Sequence, residues 1–274
     1  MGAVLTGVAG ALAAYRAGDV GRARALAAES GTRLGAELAT YWTDGTSGPV
    51  YDQPAAFTAF IRGGGNVELY RRLSEGLAAR YDSWRPEAVL DVGCGDGLAI
   101  EPALAAATFQ PSRIDLVEPS AALLSAVEVA GARRFPLTAQ DFLGSDGSTW
   151  NLVQSTFAMQ SIEPAARAEV LSELRSRTDR VVLAEFDVPE HADLASLAQR
   201  YERGVAEYGA QASLVAQGFL LPVLLGVAAG EARTNWEHPA AEWARQLEAA
   251  GFSSVTVDRL ADYWWSPAVL ITAS

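Results

Sequence analysis

A glycine-rich turn between a predicted strand and a predicted helix is the feature of this sequence with the clearest chemical meaning. The apolar run at residues 88–92 predicts a strand, and Gly93, Gly95 and Gly97 follow it at once. Glycine lets the backbone approach a ligand where a side chain would collide. In an open α/β sheet, ligands bind outside the carboxyl ends of the strands. The motif therefore predicts a small-molecule site at the end of this strand.

Acidic side chains follow the next two predicted strands. Glu118 ends the strand predicted at 113–117, where a carboxylate can accept two hydrogen bonds from a ribose diol. Asp141 follows a strand predicted at 135–139 and is placed to accept a hydrogen bond from an adenine amino group, while Phe142 can cover the adenine ring. Together with the glycines, these residues predict a cofactor that contains adenosine.

Two cofactors compete for this layout. A dinucleotide fingerprint requires G-x-G-x-x-G, but Leu98 holds the third glycine position and Gly97 comes one residue early. Asp96 also places a negative charge where a pyrophosphate would meet the start of the helix. S-adenosylmethionine has no phosphate and carries a sulfonium, so acidic residues are tolerated beside it. The pattern favours S-adenosylmethionine, and a glycine-rich turn without any ligand is the alternative that stays open.

The composition excludes several other classes of protein. All 21 basic residues are arginines, so the chain has neither a Schiff-base lysine nor a Walker lysine. The net charge of −12 disfavours a nucleic-acid partner, because such a surface repels phosphate. One cysteine and two histidines predict no metal site. We expect no membrane span and a cytoplasmic location, and the Ala- and Arg-rich composition suggests a bacterial source.

The distribution of apolar residues predicts two regions. Residues 1–87 are expected to form a helical cap that begins with two helices joined by a turn at 17–19, and these helices are a candidate homodimer contact. In residues 88–274 strands alternate with helices, which predicts a parallel sheet covered on both faces. A long segment at 189–235 interrupts this rhythm and is expected to be a helical lid. The remaining predicted elements are strands at 88–92, 113–117, 135–139, 150–155, 180–186, 254–260 and 269–272, and helices at 55–61, 67–81, 98–107, 121–130, 164–175, 193–208, 212–225 and 239–250.

Residues 88–274 resemble the class I S-adenosylmethionine-dependent methyltransferases. The first motif of that family matches residues 91–97, its ribose carboxylate matches Glu118, and its adenine-side acid matches Asp141. The segment at 155–162 looks like its loop after the fourth strand. The resemblance implies a Rossmann-like α/β sheet of order 3-2-1-4-5-7-6 with an antiparallel last strand. It also implies S-adenosylmethionine as cofactor and S-adenosylhomocysteine as product.

The expected cofactor site extends beyond the motifs. Arg62, Asn66 and Tyr70 can reach the methionine carboxylate or ammonium of the cofactor, although Asn66 has the alternative role of capping the helix that follows it. The expected cofactor-binding residues are Asp91, Gly93, Gly95, Gly97, Glu118, Pro119, Asp141, Phe142, Thr156, Arg62, Asn66 and Tyr70.

Shorter motifs suggest a subgroup of the family. Residues 51–54, residues 62–70 and the Trp264-Trp265 pair resemble bacterial natural-product methyltransferases that methylate indole carbons, of the teleocidin and physostigmine type. That resemblance implies methylation at indole C3 of a tryptophan-derived cyclic dipeptide. Two alternatives stay open: an O- or N-methyltransferase of a phenol, amine or sugar, and a cofactor-binding cyclase or regulator that transfers no methyl group.

The expected substrate site is aromatic, since flat rings suit a flat apolar substrate. The loops after the fourth, fifth and sixth strands and the predicted lid supply its residues, which are Phe157, Met159, Gln160, Tyr208, Trp264 and Trp265. Packing of a hairpin is the alternative role for the two tryptophans. His191 is the predicted general base, because histidine titrates near neutrality. Either Glu202 or Glu207 would orient it and Tyr51 would complete a relay; ordinary surface roles are the alternative for all of them.

Overall fold

The computed structural model of the protein describes residues 2–44, 54–189, 193–229 and 235–274. The chain forms two compact units, of which the first combines Met1–Val67 with His191–Thr234 and the second combines Glu68–Glu190 with Asn235–Ser274. The predicted N-terminal cap and the predicted lid segment therefore contribute to one unit. The division near residue 67 lies earlier than the predicted boundary at residue 87.

The helices and strands are numbered along the chain. The helices are α1 (Gly2–Arg16), α2 (Val20–Glu29), α3 (Arg33–Asp44), α4 (Pro54–Ile61), α5 (Asn66–Trp84), α6 (Ile100–Ala106), α7 (Ala121–Ala126), α8 (Ala139–Ser145), α9 (Pro164–Arg175), α10 (Leu194–Ala206), α11 (Ala212–Val215), α12 (Leu221–Ala229) and α13 (Ala240–Ala249). The strands are β1 (Ala88–Val92), β2 (Arg113–Val117), β3 (Arg133–Phe135), β4 (Leu152–Thr156), β5 (Val181–Phe186), β6 (Thr256–Ala261) and β7 (Ala268–Ala273).

The first unit begins with three helices, and the prediction of two was wrong. The predicted break near residue 18 exists between α1 and α2, but a second break separates α2 from α3. At the second break the Thr32 hydroxyl accepts the backbone N–H of Gly35 at 2.9 Å. A side chain in this position satisfies a donor at the start of a helix and favours a new helix there. The polar Ser-Gly-Thr sequence at 30–32 carried this signal.

A long apolar helical stretch also belongs to the first unit. Between α11 and α12 the backbone forms a short π-helical segment, Ala216–Leu220. The whole stretch Gly209–Ala228 is long and apolar enough to cross a membrane by length and composition. A buried core helix of a water-soluble protein meets the same criteria. Leu220, Leu221 and Leu224 on this stretch are buried in the structure.

The second unit contains a seven-stranded sheet of order β3-β2-β1-β4-β5-β7-β6. The neighbours from β3 to β5 pair in parallel, and β7 pairs antiparallel with both β5 and β6. The strand order implied by the resemblance is therefore confirmed, including the antiparallel last strand. Because the first five strands are parallel, their carboxyl ends share one edge of the sheet. The antiparallel register places Ala268, at the start of β7, beside Phe186 at that same edge.

Both faces of the sheet are buried. Leu90, Val153 and Leu183 belong to one core cluster, whereas the adjacent strand residues Val89, Leu152 and Val182 belong to another. Successive side chains of a strand point to opposite faces, so the two clusters cover the two faces. This arrangement explains why the strands read as continuous apolar runs rather than as an alternating pattern.

The third strand differs from its prediction. We expected it at 135–139, but β3 ends at Phe135 and α8 begins at Ala139. The side chain of Thr138 accepts the backbone N–H of Asp141 at 3.1 Å and starts the helix. Upstream, Arg133 forms two hydrogen bonds with Asp115 of β2, both 2.6 Å long. These two local interactions move the strand towards the N-terminus and turn the predicted strand end into a helix start.

Candidate active site

The turn after β1 requires glycine for two different reasons. Gly93 has a φ of 74° and Gly95 a φ of 57°, both in the left-handed region. A Cβ atom at Gly93 would lie 2.3 Å from the Cβ of Ala158, so close packing against the loop after β4 excludes a side chain there. A Cβ atom at Gly95 would meet no described neighbour within 4 Å. The open space beside Gly95 leaves its backbone accessible to a ligand.

This contrast predicts different outcomes for two alanine variants. We expect Gly93→Ala to destabilise the protein by about 2–4 kcal/mol through steric overlap and backbone strain. We expect Gly95→Ala to cost only about 1 kcal/mol of stability but to weaken S-adenosylhomocysteine binding by at least about tenfold, which corresponds to about 1.4 kcal/mol. Urea unfolding and isothermal titration calorimetry measure the two effects. Unimpaired binding by Gly95→Ala would contradict the assignment of the open space to the cofactor.

Glu118 stands at the end of β2 and faces the glycine turn. Its Oε2 accepts the backbone N–H of Gly95 at 3.2 Å, and its Oε1 accepts that of Ser120 at 2.9 Å. The side chain is half-buried, and exposed Pro119 follows it. The two backbone donors fix the carboxylate, while each oxygen keeps acceptor capacity for a further hydrogen bond. Glu118 is therefore oriented before any ligand binds.

Asp91 lies deep within the same edge of the sheet. It is 1% exposed, and burial raises the pKa of its carboxyl group to about 7. A hydrogen bond from Gln154 opposes this shift, and the negative charge of Glu118 adds to it. Asp91 is thus a carboxyl group whose ionisation near neutrality depends on what lies beside it.

The structure separates the two residues predicted at the adenine. Asp141 is exposed in the first turn of α8, where its Oδ2 accepts the Thr138 hydroxyl hydrogen bond at 2.7 Å. Phe142 is 1% exposed and packs in the core, with its ring centroid 4.7 Å from that of Phe135. A ring buried in this way offers no open face to an adenine, whereas the exposed Asp141 keeps its predicted role as a proposal.

The loop after β4 begins with a strained residue. Thr156 is 9% exposed at the end of the strand, and Phe157 follows with a φ of 55°, which is rare for a residue with a side chain. The backbone N–H of Phe157 donates to Ala184 of β5 at 2.8 Å, so the sheet holds this conformation in place. Strain of this kind is concentrated at functional sites. Further along the loop, Met159 is fully buried in the core rather than at the predicted substrate site.

Six aromatic side chains form a continuous row at the carboxyl edge of the sheet. The ring of Phe157 stacks on Phe186 at a centroid distance of 4.6 Å, and Phe186 stacks on Tyr263 at 5.3 Å. At one end Tyr70 and Phe157 form a T-shaped pair with their ring centroids 6.0 Å apart. At the other end the ring centroids of Tyr263 and Trp264 are 5.4 Å apart, and those of Trp264 and Trp265 are 6.2 Å apart. We name Tyr70, Phe157, Phe186, Tyr263, Trp264 and Trp265 the aromatic row.

The two ends of the aromatic row are tied to charged groups. Trp265 is half-buried, and its indole N–H donates to Glu237 at 2.7 Å. The hydroxyl of Tyr70 has a pKa raised by burial and by the charge of Asp96, which belongs to the glycine turn. The row thus extends from the predicted cofactor turn to the β6–β7 connection. The row contains Tyr70, which was predicted at the cofactor, and Phe157, Trp264 and Trp265, which were predicted at the substrate; these roles stay predictions. Phe186 was not among the predicted residues.

A cluster of buried polar side chains forms hydrogen bonds with the loop after β4. Arg167 of α9 is fully buried, and its Nη1 donates to the carbonyl groups of Met159 and Trp236, both at 3.1 Å. Its guanidinium lies 4.4 Å from the ring centroid of Trp243. Gln160 donates its backbone N–H to the Glu185 carboxylate at 3.3 Å, and burial raises the pKa of Glu185 to about 8. The sequence signal for this cluster was a charged residue within an otherwise apolar stretch, as with Glu185 in β5.

The residues predicted in the first unit have structural contacts of their own. The amide of Asn66 donates to the carbonyl of Phe60 at 2.8 Å and to the hydroxyl of Tyr208 at 3.2 Å. The carboxylate of Glu202 accepts the backbone N–H groups of Arg33 and Leu34 at the start of α3. Arg62 is exposed and lines an open groove of about 520 Å³ beside α4. Glu207 accepts a hydrogen bond from the backbone N–H of Gly65. Tyr51 and His191 lie outside the described residues.

These contacts do not test the predicted general base, His191, or the relay predicted for it. Glu202 already holds the start of a helix, and the position of His191 is not described. Among the described residues, no group of three or more histidine, cysteine, aspartate or glutamate side chains is placed to hold a metal ion. The candidate site that the structure does describe lies in the second unit, between the glycine turn and the aromatic row.

Comparison with known proteins identifies the fold. No protein-family profile and no curated protein sequence matches this chain. Solved structures match it, among them the mitomycin 7-O-methyltransferase MmcR, with 15% identity over 88% of this chain and a TM-score of 0.53. Magnesium protoporphyrin IX methyltransferase (ChlM) from Synechocystis PCC 6803, with bound S-adenosylhomocysteine, matches with 16% identity over 81% of this chain and a TM-score of 0.52. The chain has the class I methyltransferase fold.

The lengths of the matching proteins differ. A third structure, CalO1, a methyltransferase in calicheamicin biosynthesis, matches with 20% identity over 76% of this chain and a TM-score of 0.50. This chain spans 54% of CalO1 and 66% of MmcR, but 95% of ChlM in its S-adenosylhomocysteine complex. At these identities the likeness establishes the fold, and activity has to be argued from the site itself.

Proposed function

We propose that this chain is an S-adenosylmethionine-dependent methyltransferase that acts on a small aromatic molecule. The observation that carries the proposal is the convergence, at one edge of the sheet, of the glycine turn, an oriented Glu118 and the aromatic row. The first two features suit the cofactor, and the third suits a flat substrate. The likeness to methyltransferases that were solved with bound S-adenosylhomocysteine supports the same cofactor.

The residues of the second unit fit S-adenosylmethionine. Glu118 can accept hydrogen bonds from the two ribose hydroxyl groups, because the turn holds its carboxylate in place. The open space beside Gly95 admits a ligand without contact with a side chain. A buried oxygen of Asp91, Oδ1, has no hydrogen-bond partner among the described residues and suits a cationic ligand group. The aromatic row adds ring faces that attract a cation.

The chemistry would be a direct displacement in which the cofactor supplies an electrophilic methyl group and leaves as S-adenosylhomocysteine. The nucleophile forms its bond to the methyl carbon while the electron pair of the C–S bond passes to sulfur. The protein's task is to align the nucleophile and to exclude water. The strained Phe157 places its ring within the aromatic row at the mouth of β4, where it can hold a flat substrate against the site.

For the substrate, we propose an indole, with C3 of a tryptophan-derived cyclic dipeptide as the first candidate. Attack by indole C3 needs no prior loss of a proton; it leaves an iminium at the indole nitrogen, which a nearby amide nitrogen can trap with release of its proton. A phenol or amine nucleophile would instead need a base, and His191 is our candidate for it, with Tyr51 and Glu202 as its proposed relay. The O-methyltransferase MmcR makes oxygen acceptors the main competing class.

Mass spectrometry of the protein with S-adenosylmethionine tests the proposal. The panel contains tryptophan cyclic dipeptides, other indoles, phenols and amines. We expect a product heavier by one methylene unit from an indole, and NMR then locates the new carbon. Methylation of phenols or amines alone would reject the indole assignment, and unimpaired turnover by His191→Ala on such an acceptor would reject the base. Tight cofactor binding without any methylated product would favour a non-methylating protein.

A matched pair of tryptophan variants tests the aromatic row. We expect Trp265→Ala to raise the KM for the accepted aromatic substrate at least about tenfold, since loss of one aromatic contact face costs about 1.4 kcal/mol. Trp84→Ala is the control, because Trp84 is also half-buried but packs under Arg180 near the amino end of β5. Equal effects of both variants on KM would contradict a substrate role for the row.

A further inference from the structure

Three buried side chains from three different elements form a hydrogen-bonded chain that ends at the predicted cofactor site. The hydroxyl of Tyr81, on α5, donates to Oε1 of Gln154 at 2.6 Å. The amide nitrogen of Gln154, on β4, donates to Oδ2 of Asp91 on β1 at 2.8 Å. Tyr81 and Gln154 are 0% exposed and Asp91 is 1% exposed. We name these three residues the Tyr81 chain.

The Tyr81 chain has a defined polarity. The Tyr81 hydroxyl donates to the amide oxygen of Gln154, and in this orientation the amide nitrogen faces Asp91. An amide N–H donates, so it favours the ionised carboxylate over the carboxylic acid. Without Tyr81 the amide could rotate and present its oxygen to Asp91, which would favour the protonated form. Tyr81 therefore acts on Asp91 through Gln154.

The second carboxylate oxygen of Asp91, Oδ1, takes no part in the Tyr81 chain. Oδ1 is buried and has no hydrogen-bond partner among the described residues. A buried carboxylate oxygen without a partner is costly, and native structures seldom leave such a group unsatisfied without a functional reason. Oδ2 is held by Gln154, so the orientation of the carboxylate is set and Oδ1 is the oxygen that keeps unused acceptor capacity.

We infer that Gln154 and Tyr81 are positioning residues that hold Asp91 as an oriented carboxylate, with Oδ1 directed to the ammonium group of the bound cofactor. This inference rests on the proposed function for the identity of the ligand. Neither Gln154 nor Tyr81 reaches the ligand in this arrangement, and both act through Asp91. The chain thus couples α5 and β4 to the cofactor site.

The surroundings of Asp91 make the chain sensitive to pH. The titratable groups that face it are Tyr81 of α5, Cys94 of the glycine turn and Glu118 after β2, while β4 contributes the neutral Gln154. Burial raises the pKa of Asp91 to about 7, and Gln154 lowers it. An ammonium ligand favours the ionised form, so its affinity should rise as the pH rises through this pKa. Below it, Asp91 is neutral and the attraction is lost.

The titration of Asp91 tests the positioning role without any cofactor. Carbon-13 NMR of the side-chain carboxyl group gives its pKa in the full chain. We expect Gln154→Leu to raise that pKa by about one unit, which is tenfold in the proton affinity, and Tyr81→Phe to raise it by less. Ser155→Ala is the matched control, since Ser155 is a buried neighbour on β4 that donates to the Val92 carbonyl instead. An unchanged Asp91 pKa in both Tyr81→Phe and Gln154→Leu would overturn the inference.

Binding of S-adenosylhomocysteine between pH 5.5 and 7.5 tests the link to the ligand. We expect the affinity of the unmodified protein to rise about tenfold per pH unit below the Asp91 pKa, as release of one proton requires. Tyr81→Phe and Gln154→Leu should shift the midpoint upwards, whereas Ser155→Ala should keep it. An equal loss at every pH would indicate a merely structural role and overturn the inference. If the unmodified protein binds no S-adenosylhomocysteine at any pH, the proposed function fails, although the NMR result still decides the role of the chain.

Discussion

Glu118→Gln is expected to weaken binding of S-adenosylhomocysteine at least about 100-fold. The variant removes the charge that would strengthen the two proposed hydrogen bonds to the ribose, and each such bond is worth about 1.5–3 kcal/mol. It also replaces one carboxylate oxygen with an amide donor, which then faces one of the two backbone N–H groups, of Gly95 or of Ser120, that donate to the carboxylate. The oriented acceptor is lost together with its charge.

Calorimetry on Glu118→Gln and on Glu128→Gln measures this effect. Glu128 is an exposed glutamate in the connection between α7 and β3, so its replacement controls for the loss of one negative charge. A change of less than about threefold in Glu118→Gln, which is under 1 kcal/mol, would contradict both the ribose assignment and the cofactor proposal. Thermal unfolding of the same variants separates binding from a general loss of stability.

Asp115→Ala is expected to lower the free energy of unfolding by about 3 kcal/mol. Asp115 is fully buried in β2, where it accepts two hydrogen bonds from Arg133 and one from the indole N–H of Trp150 at 2.7 Å. Removal of one partner from a buried ion pair costs about 3–5 kcal/mol. The Arg133 side chain is 44% exposed, so water can hydrate its guanidinium once Asp115 is removed. We therefore expect a cost at the lower end of this energy range.

Urea unfolding measures the change, and Asp258→Ala is the matched control. Asp258 also pairs with an arginine, at 3.1 Å from Arg80, but its side chain is 62% exposed. Such a surface pair contributes at most about 1 kcal/mol. We expect the midpoint of Asp115→Ala to fall with an unchanged slope, the sign of lost stability rather than an altered unfolded state. Equal midpoints for both variants would show that the buried pair adds nothing beyond a surface pair.

Glu118 and Asp115 lie in different parts of the second unit. Glu118 lies at the carboxyl end of β2, whereas Asp115 lies within the strand and joins it to β3. The proposed binding residue thus follows the end of the strand, whereas the residue expected to stabilise the fold lies in its interior. Variants at the two positions should therefore separate, with Asp115→Ala affecting unfolding and Glu118→Gln affecting ligand affinity.

Several site features could be predicted from short stretches of sequence. The strand before Gly93, the turn itself and Glu118 at the end of the next strand depend on local patterns, and the structure has them as expected. The strand order followed from a resemblance that rests on the same motifs. Local chemistry was also the reason for an error: the Thr138 cap was present in the sequence, but the apolar pattern around it favoured a strand.

Two residues predicted to contact a ligand are buried in the core of the structure. Phe142 and Met159 stand at positions that the motifs place near the ligand, yet both are inside the core. In a parallel sheet covered on both faces, apolar residues do not alternate, so the pattern does not indicate which side chain faces inwards. Both belong to a core cluster that also contains residues from distant parts of the chain, such as Leu171 of α9 and Trp243 of α13.

The sequence by itself determined the glycine turn, the carboxylate after β2 and the presence of aromatic residues near strand ends, because each depends on neighbouring residues alone. Only the tertiary structure decided that Tyr81, Gln154 and Asp91 form one hydrogen-bonded chain. It also decided that Phe186 joins the aromatic row. These contacts link residues far apart in the chain, and their partners are set by strand register and helix packing, which no local pattern contains.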